Sequence, residues 1–210
     1  ATAALAEEST YIQFLPSSFN MRKQTSHPVT LSQAFEIQKT PVTQIQYFQK
    51  TGKNPSTFKF KKDCPNDYLV LNHVSLCPNH PVDSLSWAEV KNFVALLNIS
   101  NTNYTCRLPT EAEWEFSVRG ATSSAYPFGD DESLLDSYVW FSKNSAYQTH
   151  RVGLKLSNSF GLYDFAGNIY QWVEDQYCNY PNLAVVDPIG TCNEIERGMR
   201  GGGFNSKAED

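Results

Sequence analysis

Five cysteines, four histidines and a glycine-rich run that ends in serine are the groups in this chain whose types and spacing could do chemistry. Cys64 and Cys77 bracket a stretch with the turn residues Pro65, Asn66 and Asp67, and Cys178 and Cys192 bracket another with Pro181, Asn182, Pro188 and Gly190. Either pair could close a loop of about a dozen residues, a span at which a disulfide stabilises by about 2–4 kcal/mol. Sequence alone does not fix the pairing. Cys106 is then the odd thiol, in an apolar run before Arg107 that reads as a strand, where a free cysteine behaves as a small buried hydrophobe. This usage favours an oxidising compartment. No cysteines stand at zinc-type spacing, and His27, His73, His80 and His150 are too scattered for a zinc site, so they read as loop or surface residues.

The run Arg200–Ser206 reads RGGGFNS. It is a poor phosphate cradle, because no Lys-Ser/Thr follows the glycines and no helix start is evident. Gly201, Gly202 and Gly203 suit close backbone approach within a strand instead. No base or orienting partner is apparent near Ser206 that would make it a nucleophile. Arg107, Glu113 and Glu115 are available for structural ion pairs.

The elements that must position these groups are short. Val29–Leu31 and Ala34–Ile37 read as strands. Thr43 caps a short helix carrying Ile45, Tyr47 and Phe48, which Gly52 stops. The clearest helix starts at Ser86, with Trp87, Val90, Phe93, Val94 and Leu97 on one face of a 3.6-residue period. A further helix follows Pro109, where Thr110 and Glu113 form a capping box and Gly120 is the expected stop. Trp87, Trp114 and Trp172 read as core aromatics, each able to bury about 150–250 Å². Beyond Gly120 the pattern predicts turns between short strands and no strong helix.

Composition bounds the function. The 210 residues suffice for one domain with a sizeable core, and 40% apolar content fits a folded protein. A formal net charge of −5 gives no footprint for nucleic acid. The basic residues Lys59, Lys61 and Lys62 read as a solvated loop. No apolar run reaches the roughly 18 residues of a membrane span, so no membrane insertion is expected. Ala4-Leu5-Ala6 before Glu7 is similar to the small-residue end of a signal peptide, with an Ala-rich tail as the other reading.

Several peptides in order carry a family likeness: Asn54-Pro55-Ser56 with Phe58, His80-Pro81-Val82, Leu85-Ser86-Trp87, RLPTEAEWEF (Arg107–Phe116), Tyr126–Asp130, Val152-Gly153, FGLYDFAGNIYQW (Phe160–Trp172) and the glycine triplet. From about Val29 to Asp210 the chain resembles the formylglycine-generating enzyme, or sulfatase-modifying-factor, family. The resemblance implies an α+β, C-type-lectin-like fold, loop-rich, with two main helices packed on short antiparallel strands. It divides the chain into an N-terminal tail (residues 1–25) and the family domain (26–210). Family members continue past the glycine motif, so the closing C-terminal strands are missing from the expected fold: either this is a truncated or cleaved form, or the closing elements come from elsewhere, an open sheet edge being suited to pairing with a partner chain or second copy.

The same resemblance speaks to chemistry. The family's oxidases bind copper through two tail cysteines and convert a substrate cysteine to formylglycine. Ser206 stands at the first cysteine position and the second would fall beyond Asp210, so copper is not expected. One family calcium ion matches the side chains of Asp164 and Gln171 with the carbonyls of Gly167 and Ile169, although Gln171 replaces the usual glutamate. A second matches Tyr138, the Val139 carbonyl, Asn144 and the Ala146 carbonyl, with tyrosine unsuited to the ion. The family's iron-dependent sulfoxide synthases need a histidine-bearing helical domain that this sequence lacks, whereas its retroelement variable proteins carry their hypervariable residues after the glycine motif, a stretch missing from this sequence. The implied reading is a non-catalytic, extracytoplasmic (secreted, periplasmic or cell-surface) binding or accessory protein for a protein or small-molecule ligand, a calcium-stabilised pseudoenzyme or envelope-complex module. The alternative is a formylglycine-generating-type oxidase.

Overall fold

The computed structural model describes residues 10–21, 26–99, 103–119, 122, 124 and 126–208. Tyr11–Phe14 (β1) and Ser17–Met21 (β2) are two sections of one extended run, broken where Pro16 has no N–H to give a ladder. They run back along Phe35–Gln38 (β4) and His27–Leu31 (β3), with Phe14 opposite Phe35 and Met21 opposite His27, so that a bent antiparallel ribbon forms. This corrects the expected tail: residues 11–21 belong to the domain, and Phe14 and Met21 are in its core. The Ala-Leu-Ala segment lies outside the described residues.

Local chemistry sets the helices. Helix α1 (Gln44–Thr51) has a capping box between Thr43 and Gln46 and ends at Gly52, which is left-handed at φ 68°. Helix α2 (Trp87–Ile99) opens on Ser86, whose backbone N–H donates to Glu89 while its hydroxyl accepts from the Glu89 N–H. Helix α3 (Glu111–Arg119) has the Thr110–Glu113 box as expected. Gly120, its expected stop, lies outside the described residues. A single turn, Leu135–Tyr138 (α4), follows a 3₁₀ turn at Glu132–Leu134, where sequence predicts no strong helix.

The remaining strands are Leu69–Leu71 (β5) and Val74–Leu76 (β6), a hairpin, then Gln171–Gln176 (β7), Val185–Val186 (β8) and Arg197–Arg200 (β9). Strand β7 pairs antiparallel with β9, whereas β8 joins β3 in parallel, so the sheets are not all antiparallel as expected. The largest core lies between the ribbon, α3, β7 and the segment through Leu162 and Phe165. Residues 112–118 of α3 are all buried, Glu113 and Glu115 included. The fold tolerates this by pairing: Arg107 makes two 2.6 Å bonds to Glu113, and Arg200 makes one of 2.6 Å to Glu115.

Both cysteine pairs are disulfides, Cys64–Cys77 and Cys178–Cys192, and Cys106 is free. The first ties the 60–67 turns to the β5–β6 hairpin, and the second holds the long excursion after β7. Cys106 is half-buried but lies in no strand; the Asn98 side chain clamps its backbone from both sides, at 2.7 and 2.9 Å. Of the three tryptophans expected in the core only Trp114 is buried. Trp87 and Trp172 are half-buried and form a reciprocal latch: each indole N–H donates to a carbonyl beside the other, Val173 at 3.0 Å and Leu85 at 2.9 Å.

Candidate functional site

The glycine run is a turn and not a strand. Strand β9 ends at Arg200, and Gly201 and Gly202 are left-handed at φ 95° and 71°. Close approach is nevertheless what they provide, since a Cβ on Gly201 would lie 2.8 Å from the Phe165 carbonyl oxygen. The turn curls Ser206 back under the run, where it is buried at 7% exposure. Its Oγ accepts the Gly203 N–H at 3.0 Å and lies 2.9 Å from the Tyr170 hydroxyl. The Ser206 hydroxyl is thus engaged in closing the turn.

Tyr170, which sequence reasoning passes over, leaves its ring exposed beside Phe204 on a groove of about 1080 Å³. The walls of this groove come from β4, α2, the 104–109 segment and the glycine turn. Here the amphipathic face of α2 finds its use: Phe93 is buried against Tyr47 and Val82, while Val90, Val94 and Leu97 are half-buried along the groove. Phe58 and Phe204 meet edge to face at 5.2 Å at one end.

The two loops matched to calcium positions are held by protein hydrogen bonds. In the first, buried Asp164 accepts from the Gly153 N–H at 2.7 Å and from the Asn168 side chain at 3.2 Å, and burial pushes its carboxyl up. Gln171 donates to the Asp164 carbonyl at 2.8 Å and accepts from the Trp114 indole at 3.0 Å. Gly167 is packed on Trp140, and Ile169 is half-buried on the groove. In the second, Asn144 accepts from the Phe141 N–H at 3.0 Å and donates to the Val139 carbonyl at 2.9 Å. Tyr138 stacks on Phe128 at 4.5 Å, and Ala146 is exposed at φ 51°. The polar side-chain atoms of Asp164, Gln171 and Asn144 are thus engaged within the protein. Among the described residues no three His, Cys, Asp or Glu side chains gather as a metal site would need.

Asn168 ties the Asp164 loop to the backbone at His150. Fully buried, it brackets the His150 backbone at 2.9 and 3.0 Å as well as meeting Asp164. A Gly-Asn dipeptide with Asn168 at φ 62° is the sequence signal that could have found it. Two histidines depart from the surface expectation: His27 and His80 are buried. His150 stacks on Trp140 at 3.8 Å and donates from Nε2 to the Ser145 carbonyl.

Burial lowers the pKa of His80, with His150 adding repulsion against the pull of Asp67, Asp63 and Asp83. Burial likewise lowers His150, with Lys155 adding to it. The unfolded chain then takes up these protons first, so stability is full above the ordinary histidine value of 6.5 and is lost as pH falls from there through the folded values. The melting temperature is expected to fall between about pH 7.5 and about 5.5, and His80→Asn to flatten that slope.

Comparison with known proteins adds three findings. The family model described as "Sulfatase-modifying factor enzyme 1-like domain" matches residues 4–210. The formylglycine-generating enzyme of Mycobacterium tuberculosis is 35% identical over 97 residues, covering 41% of this chain and 32% of that protein. The serine/threonine-protein kinase pkn1 of Chlamydia caviae is 30% identical over 136 residues, covering 62% of this chain and 20% of the kinase. The chain thus spans a third or less of the length of these two relatives. Among solved structures, Treponema denticola variable protein 1 superposes with a TM-score of 0.81 at 25% identity, over 95% of this chain and 85% of that one.

Proposed function

We propose, since this chain belongs to the sulfatase-modifying factor enzyme 1-like family, that it is a non-catalytic binding module on a formylglycine-generating-enzyme-like scaffold. The observation that carries the reading is Ser206. At the family's cysteine position stands a hard hydroxyl, already committed to Gly203 and Tyr170. Soft Cu(I) selects thiolate, so these donors do not fit copper. What the scaffold offers instead is the groove beside that turn, broad and rimmed by aromatic rings such as Tyr170 and Phe204. Rigid aromatic side chains in a concave surface suit capture of an apolar or peptide ligand. The likeness to a variable protein agrees with a scaffold used for display. The two disulfides suit an oxidising compartment outside the cytoplasm, and among the described residues no helix is long and apolar enough to cross a membrane.

The rival reading is a formylglycine-generating oxidase, the name carried by several relatives. The two separate in one assay. The full-length protein carrying this domain is supplied with Cu(I), oxygen and a cysteine peptide, and the peptide is followed by mass spectrometry. No aldehyde and no oxygen uptake above the copper-only blank are expected. Aldehyde formation that scales with protein would establish the oxidase and end the binding reading.

A further inference from the structure

We infer that this chain has replaced the cations of both loops by side-chain carboxamides, so that its folded state is calcium-independent. The orientation of each amide follows from its neighbours. An indole N–H only donates, so the atom of Gln171 facing Trp114 must be Oε1, and its NH₂ must face the Asp164 carbonyl 2.8 Å away. A backbone N–H also only donates, so Asn144 turns Oδ1 to Phe141 and its NH₂ to the Val139 carbonyl. In the second loop an N–H therefore occupies the approach to Val139, one of the carbonyls matched to the ion, and in the first the Gln171 side-chain oxygen, also matched to the ion, is taken by the Trp114 indole N–H. A hydrogen carrying partial positive charge meets the oxygen there and repels any cation that would take its place.

Charge and geometry point the same way. Calcium takes six to eight oxygens, anionic ones foremost. The first loop has one carboxylate, Asp164, and both its oxygens already accept hydrogen bonds. In the second, none of Tyr138, Val139, Asn144 and Ala146 brings a negative charge. The nearby Asp136 is more than half exposed and lies 3.6 Å from Lys143 and 3.2 Å from the Asn144 amide. Two loops, distinct in sequence, thus show the same substitution of a fixed N–H donor for an ion. The side-chain oxygens of Asp164, Gln171 and Asn144 are all hydrogen-bonded within the protein.

The test is thermal unfolding of the intact protein in EGTA and in millimolar calcium, with calorimetric calcium titration beside it. The wild type is expected to melt at one temperature in both buffers and to give no binding heat. A melting temperature that climbs with calcium concentration would overturn the inference. Gln171→Glu removes the N–H and adds an anionic oxygen. It is expected to melt lower in EGTA and to recover roughly 5–10 °C at calcium a hundredfold above its Kd. Should that variant not fold, Asn144→Asp makes the same exchange in the other loop. A folded variant of either kind that stays indifferent to calcium would show that the amides are not what excludes the ion, and would equally sink the proposal.

Discussion

Replacing Gly167 by alanine is expected to destabilise the chain by about 4 kcal/mol or more, among the largest losses a single methyl group can cause. Two costs add. Gly167 is left-handed at φ 79°, a conformation that disfavours any Cβ by about 1–2 kcal/mol. The new methyl would also fall well inside the van der Waals contact distance of the Trp140 carbonyl oxygen and 2.6 Å from Val139 Cγ1. The Trp140 backbone cannot yield freely, because its carbonyl accepts the Asn168 N–H at 2.8 Å while Gly167 itself donates to Gly201 at 2.6 Å. One substitution therefore separates the 139–140 segment, the Asp164 loop and the glycine turn at once. Gly52→Ala is the control, left-handed at φ 68° with open space around it. It should cost only about 1 kcal/mol. Melting temperatures of the two variants check the pair, and equal losses would show that the close approach at Gly167 is unimportant.

Arg200→Met is expected to cost about 3–5 kcal/mol, because it strands acidic groups inside the fold. Arg200 bonds Glu115 at 2.6 Å, lies 3.7 Å from Glu111, and sits over the Trp114 ring at 5.1 Å. The Glu115 side chain is only 4% exposed, and Arg119, at 3.3 Å, is a longer and weaker contact. Glu111 keeps the Tyr180 hydroxyl at 2.5 Å, a neutral donor in place of a cation. Adding Glu115→Gln to Arg200→Met should return a large part of the loss, since the double variant no longer buries an under-compensated carboxylate. Denaturant titration of wild type, both singles and the double variant measures the coupling. Simple additivity would mean that the two side chains do not depend on each other.

What sequence reveals and what it hides divides by distance along the chain. The caps of α1 and α3 and the Gly52 stop are legible because each is made within a few residues. Both disulfides are legible as candidates because their loops are short and rich in turn residues. Strands β1 and β2 are not, since an N-terminal stretch is read as a tail until its partners at residues 27–38 are known. The latch between Trp87 and Trp172 joins residues far apart, and their aromatic character alone suggests core. His27 and His80 look like surface residues until tertiary packing covers them. At the candidate site, Ser206 is identified by the peptide around it. Its partner Tyr170 lies 36 residues earlier, inside the Phe160–Trp172 peptide, and nothing in either peptide says that the two side chains meet. The α2 face is legible as apolar, but its period cannot say whether it meets protein or an open groove.

The parallel pairing of β3 with β8 has a consequence for how this molecule comes into being. Val29 lies against Val185, and Ser32 bonds Asp187 across 155 residues of sequence. When the N-terminal ribbon leaves the ribosome, the strand that flanks it has yet to be made. Until that strand arrives the outer edge of β3 stays open to mispairing, and loop closure of this span favours slow, late assembly over stepwise folding from the first residue. Nascent chains stalled before Val185 are therefore the species on which a chaperone would act longest.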